Sequence, residues 1–361
     1  MSELGIFYVI TELYRGGAEK NLSYLVRSVR ERHRVKLVCL YGDGEVAGEL
    51  RDAGIEVECL GFRRAWQFYK VRSLARMMRG FAPDIVHTFL IHANIAGRIA
   101  ARLARVPVTL SSVRVAERER RRHLLMDRWT NGLVTLEVCN SEAVKRFMAD
   151  EAGIPSDRMR VIPNGIEVSG CGAGPLPEWP PVVTFVGRLH EQKGVDVLIR
   201  AAARVLKEVP EAVFRIVGDG PKRAELEALT GQEDVAGSVR FEGYVGDVPG
   251  VLAASSLLVL PSRWEGMPNA VLEAMACGRP VVCSGVDGCG EVVADGETGL
   301  LVPPGDDAAL AEAIVTVVKD RERASQMGRA GRERVEKHFT VPAMVDAYEE
   351  LYRECAESTR T

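Results

Sequence analysis

Short strand-like runs, mainly apolar, alternate along this chain with stretches whose apolar positions recur every three or four residues. The runs cover Gly5–Ile10, Val35–Leu40, Ile55–Leu60, Ile85–Phe89, Pro107–Val113 and Val134–Cys139, and the pattern restarts at Val182–Val186 and Leu257–Leu260. Gly5–Ile10 and Leu257–Leu260 are continuous apolar runs, which suit strands covered on both faces; the others carry one to three polar residues each. Between the first two runs of the chain, Leu22, Leu25, Val26 and Val29 mark one face of a helix opening at Ala18. Strand and helix in alternation predict an α/β protein built on doubly wound parallel sheets. Ser284–Glu291 and Gly299–Gly305 read as the last pieces of the second sheet, and Val341–Cys355 as a final helix. A stretch rich in Gly and Pro interrupts the alternation. It divides the chain into a domain over 1–168, a linker over 169–181, a second domain over 182–340 and a closing segment over 341–361.

The most informative stretch runs from Leu257 to Arg279. An apolar strand ends at Leu260, a loop carries Arg263, Trp264 and Glu265, and Pro268 suits the first turn of a helix holding Glu273. Gly278 and Pro280 are stop signals. Ligands of open α/β sheets bind beyond the carboxyl ends of the strands, where this loop lies. The free amides of a helix start favour an anionic or hydroxyl-rich ligand, and a carboxylate accepts the paired hydrogen bonds of a vicinal diol. The bland alternative makes both glutamates solvated charges. Residues flanking Glu273 are almost wholly apolar, however, and a glutamate turned inward needs a partner.

Three other loops carry candidate chemistry. Gly187-Arg188-Leu189-His190-Glu191-Gln192-Lys193-Gly194 places two cations between a strand and a helix, an arrangement suited to a diphosphate or, more simply, two exposed charges. Gly16 and Gly17 follow the first strand and would let a backbone approach a phosphate. His87 and His92 flank the fourth run; core or surface positions also fit them, and as a metal site they lack a third ligand. Val217-Gly218-Asp219-Gly220-Pro221 departs from G-x-G-x-x-G, which disfavours a dinucleotide-dependent oxidoreductase.

Glu265 and Glu273, with Gly266, Met267, Pro268, Asn269 and Ala270 among the residues between, resemble the two-glutamate motif of retaining glycosyltransferases of family 4. Val161-Ile162-Pro163-Asn164-Gly165-Ile166 and the Gly187–Gly194 loop are similar to two further signatures of that family. The resemblance implies the GT-B fold, two Rossmann-like domains facing each other across a cleft, with the last helix returning to the first domain. It implies a nucleotide-sugar donor, UDP-linked by preference, and a glycan or lipid-linked acceptor. Arg188 and Lys193 would neutralise the diphosphate, Glu273 would hold the ribose and Glu265 the donor sugar. Amides near Gly266–Asn269 would assist, with Asn164 at the interdomain crossing. Tyr244 and Val245 would flank the base, Gly16 and Gly17 would close on the phosphates, and His92 would touch the sugar while His87 ends its strand. No metal and no cofactor is expected. Other GT-B enzymes of epimerase or phosphorylase type, and a non-catalytic GT-B subunit that binds glycans or partners, remain as alternatives. Such a subunit would be expected to have lost one of Arg188, Lys193, Glu265 or Glu273.

Length and charge refine this picture. The 361 residues suffice for two cores, and 47% hydrophobic with 27% charged residues is the balance of a soluble globular protein. The eight cysteines include no C-x-x-C pair and no accompanying zinc set, as expected of reduced thiols in a cytoplasmic protein. Of 47 Lys and Arg and 50 Asp and Glu, 27 and 20 fall within residues 1–168, an excess of +7, and the remaining 20 and 30 give −10. Arg63, Arg64, Trp66, Phe68, Tyr69 and Lys70 mix cations with aromatics, and Arg118–Arg122 is a second basic run. Both read either as solvated surface or as peripheral contacts with an anionic membrane. Nucleic acid is disfavoured, because no recognition fold accompanies the charge.

Overall fold

The computed structural model describes residues 3–62, 68–116, 121–168 and 174–359. Its contacts divide the chain into two units, Met1–Gly165 with Val341–Thr361, and Ile166–Thr340. The division falls after Gly165 because Ile166 donates to the Phe339 carbonyl (2.8 Å) and pairs with Thr340. Gly165 instead donates to Asn21 Oδ1 (2.9 Å) of the first unit.

Unit 1 holds strands β1 (Gly5–Ile10), β2 (Arg34–Cys39), β3 (Val57–Cys59), β4 (Ile85–Phe89), β5 (Val108–Val113), β6 (Leu136–Cys139) and β7 (Met159–Val161). Helices α1 (Gly17–Val29), α2 (Glu45–Asp52), α3 (Phe68–Phe81), α4 (Ile91–Ala104), α5 (Arg121–Asn131) and α6 (Glu142–Ala152) cover its faces. The parallel sheet runs β3-β2-β1-β4-β5-β6-β7, so the winding reverses between β1 and β4. Every residue of β1 and β4 is buried, which is why β1 reads as an unbroken apolar run and β4 as one broken only by the buried His87 and Thr88.

Unit 2 holds β8 (Val182–Val186), β9 (Val213–Val217), β10 (Val239–Gly243), β11 (Leu257–Leu260), β12 (Val281–Ser284) and β13 (Gly299–Val302). Its helices are α7 (Val195–Glu208), α8 (Arg223–Gln232), α9 (Val248–Ala253), α10 (Asn269–Ala276), α11 (Cys289–Val292), α12 (Asp307–Lys319) and α13 (Arg321–His338). The sheet order is β10-β9-β8-β11-β12-β13, with the reversal between β8 and β11. The strand expected over Ser284–Glu291 is displaced. Val281–Ser284 forms it instead, fully buried, because Gly278 and Pro280 end α10 and the apolar run begins at once. Arg279, fully buried beside that turn, donates to the carbonyls of Gly174 (2.6 Å) and Pro175 (3.1 Å). It ties the start of the described linker segment to unit 2.

The last helix, α14 (Val341–Ser358), packs in the core of unit 1. Tyr352 shares hydrogen bonds with Tyr8 (3.1 Å) and His87 Nδ1 (2.8 Å), and His87 Nε2 meets Ser112 (2.9 Å). His87 is therefore a mid-strand core residue and not the end of its strand, which falls at Phe89. Burial, then the nearby Arg114, push its pKa well below the ordinary histidine value. The ring stays neutral and serves packing.

A second polar cluster lies inside unit 1. Arg98 of α4, wholly buried, binds Asp127 Oδ1 (2.5 Å) of α5, Glu137 Oε1 (2.8 Å) of β6 and Ser111 (2.9 Å). One guanidinium thus serves two carboxylates. Burial and then Asp127 drive the Glu137 pKa upwards, outweighing Arg98 and Asn131. Glu19, in the first turn of α1, is likewise pushed up to about 7 by burial, with Glu12 adding to it and its own amide and Arg114 opposing.

Both groups bind protons more tightly folded than unfolded. Their stabilising contribution is complete below the ordinary carboxylate range and is lost as pH rises through about 7. For Glu19 the loss is on the order of 3 kcal/mol. Melting temperature should therefore fall between pH 5 and 8, and Glu19→Gln should flatten that slope. A variant with the wild-type pH dependence would contradict the assignment.

Candidate functional site

Unit 2 concentrates the candidate residues on loops at the carboxyl ends of β8, β10 and β11, beside the point where its winding reverses. Glycines bring these loops together. Gly194 ends the β8–α7 loop at φ +61, and a Cβ there would stand 2.1 Å from the Pro261 carbonyl oxygen of the next loop. Gly218, at φ +127, would place a Cβ 2.0 Å from the Gly187 oxygen. Neither position accepts a side chain without moving backbone.

Hydrogen bonds complete the seam. Arg263 donates its amide to the Gln192 carbonyl (2.7 Å) and its guanidinium to Asp196 in a two-pronged pair (2.9 and 2.8 Å), while Gln192 Nε2 donates to the Trp264 carbonyl (3.0 Å). Burial alone would raise the Asp196 carboxyl. The Arg263 fork and Arg200 overcome it and hold the group below its ordinary range.

At the centre of the seam Lys193 Nζ donates to Glu265 Oε1 at 2.5 Å. Glu265 is buried, and the same oxygen accepts the Ser262 hydroxyl at 2.6 Å. The Glu265 amide donates to Asp287 Oδ2 (3.1 Å), which ties the loop to the connection after β12. Arg188 stands exposed in the same loop as Lys193; its backbone carbonyl accepts from the His190 amide (2.9 Å), and its guanidinium makes no hydrogen bond or ion pair among the described residues. So one cation is neutralised by a buried carboxylate, and another projects uncompensated. Beneath them Cys283 and Cys289 are both buried. Their mutual hydrogen bond, then burial, raises the Cys289 pKa well above the usual thiol value, so it remains a neutral filler.

Gly266, Met267 and Pro268 are buried, and Asn269 and Ala270 open α10 with partial exposure. Pro268 is the N-cap of that helix, one position before its first turn. Glu273 is half-buried in α10. Tyr244 projects with 59% exposure just beyond β10, beside half-buried Val245. Among the described residues, no three His, Cys, Asp or Glu side chains gather as a metal-binding group.

The remaining candidates lie in unit 1. Gly16 caps α1 with extended backbone (φ −161), and Gly17 is its first residue. A Cβ on Gly16 would stand 2.3 Å from the Glu19 carboxylate, the end of a flexible side chain, and the backbone there is one that any residue adopts. His92, in the first turn of α4, packs edge-on against Tyr41 (5.6 Å) and His123 (5.4 Å). Asn164 is buried, and its side-chain Oδ1 accepts from Arg114 (2.9 Å), which also donates to the Tyr348 hydroxyl (2.9 Å). In this structure it braces the crossing segment.

Ser262 was not legible as a site residue. Only its place three positions before Glu265 in a tight loop marks it. Ser262→Ala removes one of the two donors on Glu265 Oε1 and should cost about 1 kcal/mol of stability. Turnover should fall severalfold with little change in the affinity for free nucleotide. A variant with wild-type turnover would show that Lys193 alone orients the carboxylate.

Two doubly wound units with this strand order are those of the GT-B fold, and comparison with known proteins places the chain among the glycosyltransferases. Residues 15–169 match the family described as Glycosyltransferase Family 4, and residues 180–320 match Glycosyl transferases group 1. The chain is 32% identical over 302 residues to the Escherichia coli UDP-Gal:alpha-D-GlcNAc-diphosphoundecaprenol alpha-1,3-galactosyltransferase, covering 78% of each chain. It is 30% identical over 314 residues to the 2-deoxystreptamine glucosyltransferase of Streptomyces kanamyceticus, covering 78% of this chain and 80% of that one. Anabaena HepE, solved with UDP-glucose, superposes with a TM-score of 0.86 at 24% identity, over 98% of this chain and all of that one. The chain belongs to glycosyltransferase family 4.

Proposed function

We propose that this glycosyltransferase moves a hexosyl or N-acetylhexosaminyl group from a UDP-sugar to a glycan or lipid-linked hydroxyl, with retention of configuration and without a metal. The observation that carries this reading is the Lys193–Glu265 pair beside the free Arg188 at the switch point of unit 2. The named relatives support the donor: one takes its sugar from UDP-Gal, and HepE is seen with UDP-glucose. The first of them also supports a lipid-linked acceptor, since its acceptor is alpha-D-GlcNAc-diphosphoundecaprenol.

In this reading Arg188 and Lys193 face the diphosphate. As the bond from the anomeric carbon to the phosphate oxygen breaks, negative charge grows on that oxygen, and the two cations stabilise it more than they stabilise the bound donor. The acceptor oxygen bonds to the anomeric carbon from the same side, and its proton passes to the departing phosphate. No side chain is needed as nucleophile. Glu265 holds the donor sugar and Glu273 the ribose, while amides at the start of α10 favour the anionic end of the donor. Tyr244 and Val245 flank the base.

The test is a panel of nucleotide-sugars, followed by nucleotide release and by magnetic resonance of the product's anomeric centre. One UDP-sugar should be turned over to an α-linked product, with activity retained in excess EDTA. Inversion at that centre, or loss of activity restored only by Mg²⁺ or Mn²⁺, would contradict the mechanism.

A further inference from the structure

Helix α5 presents an unusual outer face in unit 1. Leu125 is 55% exposed, Met126 44% and Trp129 81%, the highest among the exposed large apolar side chains. Their spacing, with Arg122 three and four positions ahead of the first two, places all four on one stripe of the helix. Arg122 is exposed, as is Arg128 beside the stripe. The only acidic residue of α5 is Asp127, and it is turned inward and bound to Arg98. His123 is also buried, packed edge-on against His92. The inner face is therefore held by a buried ion pair. The outer face of the helix carries only apolar and cationic groups.

An arginine–aromatic stripe on a helix that turns no acidic side chain of its own outward matches the boundary of an anionic bilayer, where indole rings settle at headgroup depth and cations meet phosphates. The basic excess of residues 1–168 points the same way. No helix of the described residues is long and apolar enough to cross a membrane, so the contact lies on the surface. We propose that the Arg122–Leu125–Met126–Trp129 face of α5, with Arg128, docks the protein on an anionic lipid surface. The sequence alone located such a contact at residues 62–70 and 118–122; positions 63–67 and 118–120 lie outside the described residues, and the stripe on α5 begins where the second run ends. Docking stands on the helix geometry. Its use, bringing the enzyme to a lipid-linked acceptor, rests on the function proposed above.

The experiment is co-sedimentation of the full chain with phosphatidylcholine vesicles, with and without phosphatidylglycerol. Binding should require the anionic lipid and fall with salt. Changing Arg122 and Arg128 to Ser should lower partitioning about 25-fold, about fivefold for each cation. Trp129→Ser should lower it at least about tenfold. Trp129→Phe should still bind but lose the lipid-induced blue shift of tryptophan emission. Melting temperature and UDP binding are measured on each variant, so loss of docking is distinguishable from misfolding and from failure of the transferase reading. Equal binding to neutral vesicles, or unaltered binding after loss of both arginines, would overturn the proposal. So would self-association abolished by Trp129→Ser in a protein that ignores vesicles, which would make this face the seat of a second copy.

Discussion

Lys193→Ala lowers kcat/KM by about ten- to a hundredfold or more, the largest effect on activity expected of a single substitution here. The lost contact with the leaving diphosphate is charge-assisted and amounts to about 1.5–3 kcal/mol. A second loss comes from the enzyme itself. Glu265 is buried, and without Lys193 its carboxylate keeps Ser262 as its side-chain donor. The two effects separate in a double-mutant cycle. Glu265→Gln made in the Lys193→Ala background should cost less stability than in the wild type, because no ion pair remains to be broken. Additive stability changes would show that the 2.5 Å pair contributes nothing to the fold.

Arg98→Met destabilises the protein by about 3–5 kcal/mol, the largest expected effect on stability. Removing this guanidinium leaves Asp127 and Glu137 in the interior, with side chains 2% and 0% exposed and no cation between them. The damage should depend on pH. At low pH the carboxylates take up protons and the penalty shrinks; above neutrality it is complete. Chemical denaturation of the variant at two pH values checks this, and a loss independent of pH would contradict it. Arg98→Met combined with Glu137→Gln and Asp127→Asn should recover part of the stability, since neutral amides can hydrogen-bond to each other and to Asn131.

Much of this architecture was readable because the central strands are covered on both faces. Gly5–Ile10, Ile85–Phe89, Val182–Val186 and Leu257–Leu260 stand in the sequence as mainly apolar runs, broken only by His87, Thr88 and Thr184, and coincide with β1, β4, β8 and β11. Peripheral strands carry less signal. β10 alternates buried Val239 and half-buried Phe241 with exposed Arg240 and Glu242, and β7 has only three residues, so neither forms a run. The candidate loops were legible as residue types between strand and helix. Their pairing was not, since Lys193 and Glu265 are 72 positions apart and meet only because glycines at 194 and 218 let neighbouring loops touch. The Arg98 cluster was equally silent, since its members come from α4, α5 and β6 and only folding assembles them.

The central claim is that unit 2 binds a nucleoside diphosphate through the cations of the β8–α7 loop. The most direct measurement titrates UDP into the wild type and into Arg188→Ala by isothermal calorimetry. The Arg188 side chain is exposed and has no partner among the described residues, so its removal should leave the fold intact. The account predicts UDP binding without added metal, weakened about tenfold or more in the variant. Equal affinity in the two proteins, or no binding until a divalent cation is supplied, would contradict it.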